Sequence, residues 1–109
     1  MEETIVLAAA SSYDKKYYFN EDFEALPQSV KDELKIICVL FTEDVGGMIE
    51  LRFDEDGNLN IISKADEHDL LFDDIGSHLK VRQLQMERKE LFESLETFFK
   101  VFYLGEEEM

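Results

Sequence analysis

A single cysteine, Cys38, leaves the chain without an intramolecular disulfide or an all-cysteine metal cage, which suits a reducing compartment. One proline, five glycines and no tryptophan leave no Pro- or Gly-rich linker. Bases are scarce, 11 Lys and Arg against 26 Asp and Glu, for a net charge of −15. Nucleic acid is disfavoured as a partner, because counterion release from a phosphate backbone needs a basic patch. An anionic membrane surface is disfavoured for the same reason. No apolar run approaches the ~20 residues that span a bilayer. The start, Met1-Glu2-Glu3-Thr4, is acidic where a secretory leader is basic. Together these features predict a cytoplasmic protein.

What is present is apolar mass. The chain is 45% hydrophobic, with nine Phe and four Tyr among its 109 residues. That length and composition predict one folded domain over 1–109 rather than disorder. Residues 4–12 and 16–20, with Tyr13-Asp14-Lys15 between them, read as a first hairpin. Phe23 anchors the connection that follows. Val30, Leu34, Ile37, Cys38, Phe41 and Val45 recur at helical spacing and predict a helix over 28–44, opened by Pro27 and stopped by Gly46-Gly47. The run Ile36 to Phe41 alone also suits a buried strand; length and the start signal favour the helix. Because its end is apolar on more than one face, this helix is expected to be sandwiched.

Ile49, Leu51 and Phe53 alternate with polar neighbours, as a half-buried strand does. Asp54-Glu55-Asp56-Gly57-Asn58 supplies a turn, which places Phe53 opposite Leu59, Leu51 opposite Ile61 and Ile49 opposite Ser63. Asp66 is expected to cap a helix from Glu67, with Leu71, Phe72, Ile75 and Leu79 on its stripe and a kink at Gly76-Ser77. From Ser77 to Leu104 the pattern is helical throughout. The order is therefore ββαββα: an α+β fold with a four-stranded antiparallel sheet, a central helix and a long C-terminal helix.

Three stretches, Ser11-Ser12-Tyr13-Asp14-Lys15-Lys16-Tyr17-Tyr18-Phe19-Asn20, Leu40-Phe41-Thr42-Glu43-Asp44-Val45-Gly46-Gly47 and Phe53-Asp54-Glu55-Asp56-Gly57, carry a resemblance that extends over most of the chain. On these stretches the chain resembles a family of short, acidic, uncharacterised proteins from anaerobic Gram-positive bacteria. The resemblance implies a bacterial cytoplasmic protein. It implies no activity and assigns no functional residue.

Chemistry-bearing patterns are few. A calcium loop beginning at Asp54 needs Gly at its sixth place and Glu at its twelfth, where this chain has Leu59 and Ala65. Asp74 and His78 have the four-residue spacing of a ligand pair inside the acidic segment 66–78, and a metal-dependent enzyme is the catalytic alternative there. No third strong ligand accompanies them, so no metal and no cofactor is expected. Cys38 sits among apolar neighbours, the setting of an inert thiol.

The last helix carries the functional expectation. Leu84, Arg88, Leu91, Phe92, Leu95, Phe98, Phe99, Phe102 and Tyr103 fall in one wide apolar band. Two readings fit the band: it covers the domain's own sheet alone, or it covers both that sheet and a partner's copy of the same helix. A continuous helix from Ser77 to Leu104 would be ~42 Å long, longer than the ~34 Å diameter of a compact domain of this size. Its overhang predicts a homodimer whose interface holds Arg88, Leu91, Leu95, Phe98, Phe99, Phe102 and Tyr103. Residues 1–79 carry 19 acids and 6 bases, whereas 80–104 carry 4 and 5, so repulsion between copies is least at this helix. The sequence thus predicts a non-enzymatic protein acting through protein–protein contacts. The alternative within that class is an acidic chaperone or inhibitor that meets a basic protein.

Overall fold

A computed structural model describes residues 4–105. Its strands are β1 (Ile5–Ser11), β2 (Lys16–Phe19), β3 (Met48–Phe53) and β4 (Leu59–Lys64), and its helices are α1 (Gln28–Val45), α2 (Asp74–Glu87) and α3 (Lys89–Phe102). The strands form one antiparallel sheet in the order β2-β1-β3-β4. An α+β fold with a four-stranded antiparallel sheet is therefore present. Among the described residues the helices cover one face of the sheet and leave the other without a layer, and inner positions alternate with outer ones along β3.

Both hairpins follow from local chemistry. The second has the expected register, Phe53 opposite Leu59, Leu51 opposite Ile61 and Ile49 opposite Ser63. Its acidic turn is organised by Asp54, whose carboxylate accepts from the Asp56 and Asn58 amides at 2.9 and 3.0 Å. These bonds, the one from Asn58 foremost, hold the Asp54 carboxyl below its ordinary pKa. Gly57 closes the turn at φ +87°, with Lys100 of α3 lying over it. A bulge in β1 interrupts its register with β3 between Val6 and Ala8. Asn20 ties it down, donating its backbone N–H to Leu7 and its side-chain amide to Val6. The bulge lets Leu7 and Ala8 both be fully buried.

The helix α1 lies across β1, β2 and β3. Small Ala8 and Ala10 lie on the buried side of the sheet, which allows close approach by Leu34, Ile37, Cys38 and Phe41. Pro27 stands just before its first turn, and Gly46 ends it at φ +84°. Gly47 follows at φ +68°; a Cβ there would sit 2.3 Å from the Lys64 carbonyl, so only glycine fits. The expected sandwiching of α1 does not occur. Its outer face is open, and Ile36 and Leu40 are 52% and 57% exposed.

Two expectations about the C-terminal half are corrected. No helix starts at Glu67. Instead the Asp66 carboxylate accepts from the His68 amide, while the Tyr13 hydroxyl donates to Asp69 at 2.7 Å and accepts from the Asp66 N–H. These bonds to the first hairpin hold the segment as a loop. The helix starts one loop later, with Asp73 capping through the Gly76 amide. Gly76 therefore belongs to a first turn and is not a kink.

The second correction is the long helix, which is two helices of 14 residues meeting at Arg88. Neither glycine nor proline marks the break. Arg88 leaves helical geometry at φ −114°, ψ 26° while its guanidinium pairs with Glu33 of α1. The Lys80–Asp44 pair, 2.7 Å, holds α2 to the same helix. Beyond this break α3 packs against β4, and Phe92, Leu95 and Phe99 are buried. Each buried ring or leucine contributes about 1.5–3 kcal/mol, well above the loss of one or two helical hydrogen bonds at about 1 kcal/mol each.

Two substitutions test this account by chemical denaturation. Phe99→Ala is expected to cost about 3–5 kcal/mol, because Phe99 is 2% exposed and stacks on Phe53 with centroids 4.2 Å apart. Arg88→Ala is expected to cost only about 0–1 kcal/mol, since its pair with Glu33 is 41% and 35% exposed.

Candidate interaction surface

The expected interface residues divide by burial. Leu95 and Phe99, at 2% exposure each, are inside the domain's own core and are not available to a partner. Leu91 and Phe98 are half-buried against that core. Arg88 is spent on Glu33. Tyr103 stacks on Phe23 and Phe99, with centroids 4.8 and 5.1 Å apart, and its hydroxyl donates to the Asp22 carbonyl at 2.7 Å. Only Phe102, 71% exposed, faces outward in full, its ring tilted 31° against that of Phe98. The aromatic band is therefore chiefly intramolecular. With Leu95 and Phe99 taken up by the domain's own core, much of the aromatic band that motivated a C-terminal interface is already covered.

A larger apolar surface lies on α2. Ile75, Leu79 and Met86 are 75%, 61% and 80% exposed. At 100° per residue they share one narrow stripe with Arg82. Ser77, Val81 and Leu84 occupy the opposite side and face the domain. The helix is thus apolar on two opposed faces, of which the fold uses one. That doubled pattern is the signal that sequence reasoning passed over. Beyond Lys80, Gln83 and Glu87 runs a groove of about 210 Å³ between α2 and α1, with Ile36 and Leu40 on its far wall. The α2 sequence holds two acids, Asp74 and Glu87, and two bases, Lys80 and Arg82. It is locally neutral on a chain of −15.

The catalytic candidates are not assembled. Among the described residues no group of three or more His, Cys, Asp and Glu is placed to hold a metal ion. Asp74 and His78 stand on exposed positions of α2. Cys38 is fully buried, and burial pushes its thiol up to about 12, far from a thiolate at neutral pH. No helix among the described residues is long and apolar enough to cross a membrane.

The uncovered sheet face has an ionic centre. Glu50 accepts from Lys64 at 3.2 Å across the β3–β4 register and pairs with Arg52 on its own strand. Burial raises the carboxyl, but the hydrogen bonds and charges of Arg52 and Lys64 outweigh it and leave Glu50 below its ordinary pKa.

These features define the class: a small two-layer α+β protein with one covered sheet face and an unpartnered apolar helix face. More particularly, the chain belongs to the family of unknown function DUF6145, which matches residues 4–107. No curated protein and no solved structure matches it.

Glu50 generates a pH prediction. A carboxyl with a depressed folded-state pKa contributes stability above its unfolded value and loses it as pH falls through the folded one. Wild type is therefore expected to exceed Glu50→Gln by about 1 kcal/mol at pH 7. The difference should vanish as pH drops below the ordinary carboxylate range, measured by denaturation midpoints across pH. A pH-independent difference would refute the ion-pair account.

Proposed function

We propose that the protein is a non-enzymatic, cytoplasmic interaction protein that pairs with a second copy of itself through the outer face of α2. The observation that carries this reading is the row Ile75, Leu79 and Met86, exposed on a helix whose opposite side already faces the domain. Monomers seldom leave a contiguous apolar patch beyond a few hundred Å² uncovered. Closed two-fold dimers are the commonest oligomers, and a two-fold brings one stripe against its own copy. Charge supports the choice of surface. Two chains of −15 repel each other, and the neutral α2 is where that repulsion is weak. The buried, protonated Cys38 thiol fits a role without nucleophilic chemistry.

This reading moves the expected interface from the C-terminal aromatics to α2. Light scattering after size exclusion at micromolar concentration is expected to return a two-chain mass. Leu79→Glu with Met86→Glu, both exposed, should convert it to a single chain with an unchanged fold, whereas Phe102→Ser should leave the dimer intact. A single-chain mass for the wild type at all salt concentrations would overturn the homodimer. Capture of a basic protein by that monomer would favour the chaperone or inhibitor role instead.

A further inference from the structure

We propose that the cleft between the β1–β2 turn and α1 binds a small organic anion, one with a phosphate or carboxylate group on an apolar body. The cleft encloses about 780 Å³, within the ~300–1,000 Å³ typical of small-molecule sites. Its walls bring together Lys15 from the turn, Lys16 from β2 and Lys35 from α1, against one acid, Glu43.

That gathering runs against the chain's composition. Acids outnumber bases 26 to 11, yet none of these three lysines makes an ion pair among the described residues. Lys31, Lys64 and Lys80 each do. Three cations held around one concavity repel one another, and an anion in the cleft converts that repulsion into attraction. Part of the arrangement is conformationally costly. Lys15 has φ +53°, the only non-glycine residue at positive φ among those described, in a region that L side chains seldom occupy.

A second observation points to an occupant. Tyr17 lines the same cleft, and its hydroxyl is buried without a hydrogen-bond partner. Burial also raises its pKa, so the group remains an O–H donor. A buried donor left unpaired costs about 1–3 kcal/mol; the hydroxyl lies behind the cleft wall, near Cys38, so a ligand oxygen must seat deeply to relieve it. The Tyr17 ring, Ala10 and Val39 supply the apolar wall, which favours an organic anion over a bare inorganic one.

The probes are phenyl phosphate and benzoate, with benzyl alcohol as the neutral control and inorganic phosphate as the bodiless one, followed by amide NMR on the full chain. Phenyl phosphate and benzoate are expected to shift the amides of Lys15, Lys16, Tyr17 and Lys35 in a saturable way, tighter than inorganic phosphate. Benzyl alcohol should shift none of them. Lys15→Ala with Lys35→Ala should weaken phenyl phosphate binding about tenfold while preserving the rest of the spectrum. The Leu79→Glu, Met86→Glu chain should bind unchanged, so this site and the dimer stand or fall separately. Absence of saturable shifts, equal shifts with benzyl alcohol, or undiminished affinity in the lysine variant would each overturn the proposal.

Discussion

The stack of Phe53 on Phe99, 4.2 Å between centroids and 10° from parallel, is the contact on which the helix layer depends. Phe53 ends β3, and Phe99 comes from the last turns of α3. Phe23, in the 3-10 turn after β2, packs on both, and Tyr103 closes the group from the other side. Three separated segments thereby share one aromatic cluster at one end of the sheet. Rings in offset contact gain about 0.5–1.5 kcal/mol beyond their buried area. The chain reaches this cluster through α3, which begins after the break at Arg88.

The bend in turn decides what the surface offers. It draws the aromatic band inward, leaving Phe102 as its one strongly exposed ring, and it leaves α2 on the outside with an apolar stripe on each side. Ion pairs to α1 from the middle of α2 and from its C-cap, Lys80–Asp44 and Arg88–Glu33, set its position over the groove. The inner stripe is covered by the domain and the outer one is not.

Charge follows a similar division. The acidic excess is spread over α1, the 3-10 turn and the two acidic loops, where carboxylates face water or, like Asp54 and Asp73, organise turns and caps. Five of the eleven bases fall in two groups. Arg52 and Lys64 neutralise Glu50 on the open sheet face, and Lys15, Lys16 and Lys35 gather at the cleft beside α1. A strongly negative chain thus carries local surfaces of neutral or positive character, and those are the surfaces at which like-charge repulsion does least to oppose a partner or an anion.

Local rules were enough for the sheet hairpins and for α1. Alternation with an Asp-rich turn and Gly57 determined the β3–β4 register down to Ile49 opposite Ser63, because a one-residue slip would turn every apolar side chain outward. The 3.6-residue stripe from Val30 to Val45, closed by Gly46, determined α1 for the same kind of reason. Tertiary structure decided the rest. Asp66 is as good a cap as Asp73, and only the Tyr13 hydroxyl, 53 residues away in sequence, holds the first as a loop. Met86-Glu87-Arg88-Lys89-Glu90 has nothing but helix formers, yet the helix breaks there, where Arg88 pairs with Glu33 of α1 and α3 goes on to the Phe53 ring. Whether Leu95, Phe99, Leu79 or Met86 meets a partner was likewise undecidable from periodicity. Helical spacing says which residues share a face, and only the packed fold says which face is already covered.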